Sequence, residues 1–395
     1  MVDNITKIIF MKIAILSDGI TPFVIGGMQK HSFNLVKYFS IHGADVTLFH
    51  FSSDNKIISD EELNKKIFGP NNSNFHVKSH CLNFPQSIKF PGHYIFNSYR
   101  YSKLISKKIL PIINDFDFIY SKGFSSWNLI CLKRKGLKAP NLGVNFHGYE
   151  MWQKPPNFRV FSKHLLLKPF VKWITKNSDF VFSYGSKISN IIEDIGVDSN
   201  KIIESPSGID NDFVRNIESI KISNKRKFVF LGRYERRKGI EELSNAIRSL
   251  NLNSSNLEFH FIGDIPYTKR IKLDNIFYHG LIKNTKQIIS ILDEMDILIC
   301  PSYSEGMPNV ILESMGRGLA IIATDVGANS LLVDNDVGCL IDINNLKLEL
   351  ISSIIAMSNK DNLEIIKMKK NAINKVNKKY NWNSIIKSLI NLVSK

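Results

Sequence analysis

Only four of the 395 residues are cysteine (Cys81, Cys131, Cys300 and Cys339), and they lie far apart. That scarcity excludes a disulfide-built scaffold, and the spacing excludes a cysteine-rich zinc module. Packed, reduced thiols in a reducing compartment are the expectation. No run of about 18 apolar residues occurs, so no membrane-spanning helix is expected. The opening MVDNITKIIF lacks the apolar core and small-residue cleavage site of a secretory signal. These absences together predict a cytoplasmic protein. Acidic residues are also scarce, 36 against 52 Lys and Arg, giving a net charge of +16. The excess is uneven: 30 basic against 18 acidic residues in 1–226, and 22 against 18 in 227–395. A basic first half points to an anionic partner surface. Zinc-finger spacing, aromatic RNA-binding motifs and a helix-turn-helix pattern are all missing, which argues against nucleic acid and leaves an anionic membrane surface.

What is present is a long alternation of short apolar runs with helical patterns, the mark of parallel α/β sheets. In the first half the strands read KIAILSD (12–18), DVTLFHF (45–51), DFIYSK (117–122), NLGVNFHG (141–148) and DFVFSYG (179–185). The second half repeats the scheme with KFVFLG (227–232), LEFHFIG (257–263), IFYHG (276–280), DILICP (296–301) and LAIIATD (319–325). The first clear strand follows Met11, leaving residues 1–10 as an extension. The pattern predicts two Rossmann-like lobes, residues 1–204 and 227–377, joined by a polar connection at 205–226. Segment 378–395 reads as a closing helix. Open α/β sheets bind ligands beyond the carboxyl ends of their strands, so two facing lobes form a two-substrate cleft.

Four constellations sit at such ends. The strand DILICP runs into SEGMPNVILESMGRG (304–318). Pro308 suits the first helical position and Gly318 the exit, and amides of residues 306–309 then point outward to hold phosphate. Glu305 at the helix mouth and Glu313 inside it suit a polyol, whose hydroxyls carboxylates accept. The strand KFVFLG runs into RYERRKG (233–239), which sets Arg233 and Lys238 where a departing diphosphate needs neutralising, while Arg236 and Arg237 are expected to face solvent. Gly26 and Gly27 allow close backbone approach after the first strand, although their spacing is not that of a dinucleotide fingerprint. His147, followed by Gly148, can face the cleft, whereas His31 reads as a packing residue. The Asp115/Asp117 and Asp210/Asp212 pairs lack a further ligand at metal-like spacing, so no metal and no cofactor are expected.

In this order the motifs resemble glycosyltransferase family 4, the retaining group with the GT-B fold. The resemblance rests on GG at 26–27, HG at 147–148, SYGSK at 183–187, PSGID at 206–210, GRYERRKG at 232–239 and EGMPNVILE at 305–313. It implies that Arg233 and Lys238 hold the diphosphate of a nucleotide-sugar donor. It implies too that Glu305 holds the sugar and Glu313 the ribose, and that the Gly306-Met307-Pro308-Asn309 turn belongs to the donor site. Gly26 and Gly27 would belong to the donor site, with Gly27 close to the reacting centre and His147 near the sugar. A hexose-type sugar would pass, without metal, to a glycan or lipid-linked acceptor, as in surface polysaccharide or lipopolysaccharide synthesis. The family's closing helix crosses back to the first lobe. Ser207, Leu319 and Leu331 depart from residues common in the family. Two other readings stay open: a sugar-nucleotide isomerase or hydrolase of the same fold, and a silent sugar-binding subunit. For a membrane surface, residues 97–112 place Arg100, Lys103, Lys107 and Lys108 within a sector of roughly 140° beside Leu104, Ile105 and Ile109. Segment 158–177 is basic and apolar, and Pro169 is expected to break it.

Overall fold

The computed structural model describes residues 11–52, 56–70, 74–88, 90, 92–222, 225–250 and 256–394. The extension at 1–10 lies outside them. Seven strands form the first sheet: β1 (Lys12–Leu16), β2 (Asp45–Phe51), β3 (Val77–Leu82), β4 (Phe118–Lys122), β5 (Asn141–Asn145), β6 (Phe180–Ser183) and β7 (Ile202–Glu204). Six form the second: β8 (Arg226–Leu231), β9 (Leu257–Ile262), β10 (Ile276–Gly280), β11 (Ile297–Cys300), β12 (Ala320–Thr324) and β13 (Gly338–Ile341). Every strand pair is parallel.

The orders are β3-β2-β1-β4-β5-β6-β7 and β10-β9-β8-β11-β12-β13, so each sheet reverses direction once, beside β1 and beside β8. A reversal opens a crevice at the carboxyl ends of the strands, and both crevices face the opposite lobe. Central strands such as ILIC (β11) and AIIAT (β12) are buried throughout because helices cover both faces of a parallel sheet. The pattern reading did not include β3, β7 or β13. Their burial is mixed, and β7 has only three residues.

The chain crosses between lobes twice. The first crossing, around Ile209, is tied to the second by Ile209 N–H donating to the Tyr380 carbonyl. Helix Asn362–Lys379 packs on the second lobe through Ala372 and Val376, while helix Trp382–Val393 enters the first lobe's core beside Leu35, Val36 and Phe39. Trp382 stacks on Tyr38, and a Cβ at Gly208 would lie 2.6 Å from its ring. Lys369, on the Lys- and Asn-rich helix Asn362–Lys379, is buried and pairs with Asp296 at 2.9 Å.

Helix Phe158–Asn177 runs unbroken through Pro169, contrary to the expected break. Proline removes one backbone hydrogen bond there, but Val171 and Ile174 anchor the following turns in the core. In helix His93–Ile109, Ile105 and Ile109 are consumed by the first lobe's core and Leu104 is half-buried, and the apolar groups left exposed are Tyr94 and Phe96, the latter under Arg100.

Candidate active site in the interlobe cleft

The second lobe supplies a charged floor. Glu305 leaves the end of β11 and is buried, with Lys238 Nζ 2.5 Å from its Oε1 and Arg237 Nη1 3.9 Å from its Oε2. Burial opposes the charged carboxylate, but the two cations prevail and hold the Glu305 carboxyl below its ordinary range. Gly239 explains why the cations turn inward. Its φ of +66° is left-handed, and a Cβ would sit 1.9 Å from the Pro301 carbonyl oxygen. The Arg236–Lys238 turn therefore lies on the loop after β11, where Tyr303 N–H donates to the Arg237 carbonyl at 2.7 Å.

This corrects the reading of Arg236 and Arg237 as solvent-facing. Arg237 reaches Glu150 of the first lobe at 3.4 Å as well as Glu305. Arg236 pairs with Glu242 and lies over the Tyr303 ring. Arg233 stands apart from the Lys238–Glu305 pair: its side chain is 65% exposed and pairs with Glu235. Pro308 caps the helix Asn309–Gly316 rather than opening it, because its own carbonyl already accepts the Ile311 and Leu312 amides. Gly318 ends that helix with a φ of +77°.

The first lobe faces this floor with two loops. Gly26 and Gly27 lead into helix Gly27–Ile41, and the Gly27 carbonyl accepts from Asn309 Nδ2 at 3.4 Å. Asn309 also accepts from Ser207, one of the positions that departs from the common motif. One turn along, Lys30 Nζ meets Glu313 Oε1 at 2.5 Å and lies over the Phe213 ring. Glu313 is therefore already paired across the cleft.

The second loop follows β5. Gly148 packs so tightly on the Glu305 loop that a Cβ would lie 2.8 Å from the Glu305 carbonyl and from the Gly306 amide. Gln153 completes the junction. Its Nε2 donates to the Glu305 carbonyl at 2.6 Å and its Oε1 accepts the Glu305 N–H at 3.2 Å. His147 has a left-handed φ of +57°, uncommon for a residue with a side chain. Its Nδ1 bonds Tyr184 Oη, and its ring stands edge-on to His31 at 5.3 Å. His31 is buried as a packing residue would be, but it also bonds Lys122, which ends β4 and donates to the Met28 carbonyl. Burial, with Lys122 adding its charge, keeps both imidazoles well below their ordinary pKa.

The structure thus brings Gly27 to Asn309, Lys30 to Glu313, and Gly148 to Glu305 and Gly306 across the cleft, while Lys238 pairs with Glu305 within the second lobe. Lys30, Lys122, Gln153, Tyr184 and Arg237 are site residues that the motif reading missed. Lys122 carried one usable signal, a charged residue at the carboxyl end of a strand that opens with Phe118 and Ile119.

Among the described residues, no three His, Cys, Asp or Glu side chains cluster to hold a metal. Asp117 is engaged by the Lys12 amide and Asp210 by Lys37. Cations beside a helix N-terminus suit a phosphate group, and buried carboxylates suit hydroxyls.

Comparison with known proteins agrees with this chemistry. A model described as Glycosyltransferase Family 4 matches residues 25–213, and one described as Glycosyl transferases group 1 matches residues 225–360. A putative teichuronic acid biosynthesis glycosyltransferase of Bacillus subtilis, TuaC, is 38% identical over 109 residues, 28% of this chain and 27% of its own. An uncharacterised glycosyltransferase of Methanocaldococcus jannaschii is 25% identical over 92% of both chains. The Escherichia coli UDP-Gal:alpha-D-GlcNAc-diphosphoundecaprenol alpha-1,3-galactosyltransferase is 28% identical over 47% of this chain and 52% of its own. Among solved structures, sucrose-phosphate synthase from Thermosynechococcus elongatus shares the fold with a TM-score of 0.76, at 16% identity, over 97% of this chain and 98% of its own.

Proposed function

We propose, from the premise that this chain belongs to glycosyltransferase family 4, that it moves a hexose-type sugar from a nucleoside-diphosphate sugar to a glycan or lipid-linked acceptor. The observation that carries this reading is the meeting of Lys238 and Glu305 at the mouth of helix Asn309–Gly316, opposite the Gly26-Gly27 turn. Lys238, joined by Arg233 from the rim, neutralises the diphosphate as it leaves, and the helix amides add their dipole. Glu305 accepts sugar hydroxyls and Glu313 accepts those of the ribose. Gly27 leaves room for the reacting centre, and His147 contacts the sugar.

No step calls on a protein nucleophile or a metal. The bond between the anomeric carbon and the phosphate oxygen breaks as the acceptor oxygen attacks from the same face. The acceptor proton passes to the departing phosphate, and configuration is retained. The relatives' names support a surface polysaccharide as product, with a lipid-diphosphate acceptor.

Incubation with a panel of nucleotide sugars and a lipid-linked acceptor tests the reading. Nucleoside diphosphate is released together with glycosylated acceptor, and Lys238→Ala and Glu305→Ala abolish both. Release without glycosylated product would indicate a hydrolase. Sugar-nucleotide rearrangement would indicate an isomerase, and no turnover of any donor a silent subunit.

The same reading includes an anionic membrane as working surface. No helix among the described residues is long and apolar enough to cross a bilayer. Helix Phe158–Asn177, however, leaves Phe158, Leu165 and Leu166 about half or more exposed, beside exposed Arg159 and Lys163. Apolar groups beside cations suit the headgroup boundary. Flotation with anionic vesicles at low salt is the test: salt-sensitive binding supports the surface, and its absence removes it.

A further inference from the structure

We infer that Tyr184 is a positioning residue that holds His147 as the tautomer protonated on Nε2, a hydrogen-bond donor to bound substrate. The inference rests on the proposed function only for what the donor meets. The proton's location follows from the geometry.

The chain of reasoning starts at the backbone. His147 N–H donates to the side chain of Asn145 at 2.6 Å, so the atom receiving it is the amide oxygen, Oδ1. The other end of that amide, Nδ2, is then a donor. It donates to Tyr120 Oη at 3.0 Å. Tyr184 is buried and its ionisation is pushed well above the ordinary phenol value, so it keeps its proton. A protonated phenol has a single O–H to give, and the hydrogen-bond partner of the Tyr184 hydroxyl is His147 Nδ1 at 2.5 Å.

A ring nitrogen that accepts a hydrogen bond carries its lone pair, so a neutral His147 bears its proton on Nε2. The groups around it keep the ring neutral. Lys122 is the charged group beneath it, with Asp18 as that lysine's counter-charge, and His31 and Tyr184 are themselves uncharged. Burial lowers the Lys122 pKa to about 7; while it is protonated its ammonium can only donate to His31 Nδ1, which holds His31 in the same sense.

His147 Nε2 is buried and has no hydrogen-bond partner. An N–H left unsatisfied inside a protein calls for an explanation, and at a carboxyl sheet edge beside the Glu305 loop a ligand oxygen supplies it. The left-handed backbone at His147 agrees, since strain of this kind gathers at functional sites. The consequence is chemical. With Nε2 already protonated, His147 cannot take the acceptor's proton there. It acts as a donor to a hydroxyl oxygen of the sugar or to the departing phosphate.

Nitrogen-15 NMR of the whole protein, labelled at histidine, tests this without substrate. His147→Asn identifies the signals. The expected result in the wild type is a protonated, pyrrole-type Nε2 and a bare, pyridine-type Nδ1, unchanged between about pH 6 and 8. In Tyr184→Phe both nitrogens move towards an average of the two tautomers, and turnover falls about tenfold, the loss expected for one misdirected hydrogen bond. A bare Nε2 in the wild type would overturn the inference, and that measurement stands even if Tyr184→Phe does not fold. An unchanged His147 spectrum in folded Tyr184→Phe would also overturn it. Failure of the transferase reading would appear elsewhere, as the absence of glycosylated acceptor when the wild-type protein is given the full donor panel.

Discussion

Lys238 and Glu305 are 67 residues apart in sequence and 2.5 Å apart in space, and the lysine is what keeps the buried carboxylate charged. A buried carboxylate without its cation is strongly unfavourable, and Arg237 at 3.9 Å compensates only in part. Lys238→Met should therefore destabilise the fold by about 3 kcal/mol. Glu305→Gln in that background should restore most of the loss, because the unpaired charge is gone. Urea unfolding of the two single variants and the double variant measures the coupling. Additive costs would show that the pair is not a unit. All three proteins should lose transfer activity by about a hundredfold or more, since the diphosphate loses its cation or the sugar its acceptor.

The cross-cleft pair between Lys30 and Glu313 makes a prediction about affinity. If ribose hydroxyls occupy Glu313, Lys30 must first release it. Lys30→Met removes that competitor and should tighten nucleoside diphosphate binding by about fivefold at low salt, the equivalent of ~1 kcal/mol. Glu313→Gln should weaken it. Titration calorimetry with UDP, GDP and ADP gives both numbers and identifies the base. The advantage of Lys30→Met should shrink in high salt, where the wild-type pair is already screened. Weaker binding by Lys30→Met would instead make the lysine a phosphate ligand.

How far these contacts could be read in advance depends on their range along the chain. The loop and helix at 304–318 were legible because their signals are local: a buried apolar strand, a proline at the helix mouth and a glycine at its exit. The bounds of β2 were legible for the same reason. Strand β3, VKSHCL, pairs only with β2 at a sheet edge and carries no clean alternation. Which of Arg236, Arg237 and Lys238 turns inward is decided by the left-handed Gly239 against the Pro301 carbonyl, a contact that the basic run itself does not encode. Lys30 and Gln153 find partners 283 and 152 residues away, and nothing around either residue marks it for that role.

Gly148 tests the junction between the lobes. Gly148→Ala would place a methyl group 2.8 Å from the Glu305 carbonyl and the Gly306 amide, both of them backbone atoms that cannot swing aside. The lobes should separate locally and Gln153 should lose its grip on Glu305. Turnover should fall at least about tenfold, with an overpacking cost of about 1–3 kcal/mol. Gly136→Ala is the control. Its φ of +101° disfavours a side chain, yet nothing lies within 4 Å of the new Cβ. That variant should lose about 1 kcal/mol of stability and keep its turnover. Equal turnover in the two variants would count against the junction.

His50 governs a pH effect that is separate from activity. It is fully buried on β2 with Nε2 bonded to Ser79, and burial pushes its pKa down to about 4. The unfolded chain takes up a proton near pH 6.5 while the folded one refuses it until about pH 4. Between those values the unfolded state binds more protons, so stability falls as the solution is acidified. The contribution is complete above about pH 6.5 and is lost by about pH 4, amounting to about 3 kcal/mol. Replacing the imidazole by a group that does not titrate, as in His50→Gln, should flatten this part of the curve. Melting temperatures of wild type and His50→Gln, taken from pH 7.5 down to 4.5 in about half-unit steps, should converge on the acid side. Curves that stay parallel over that range would show that His50 is not the group responsible.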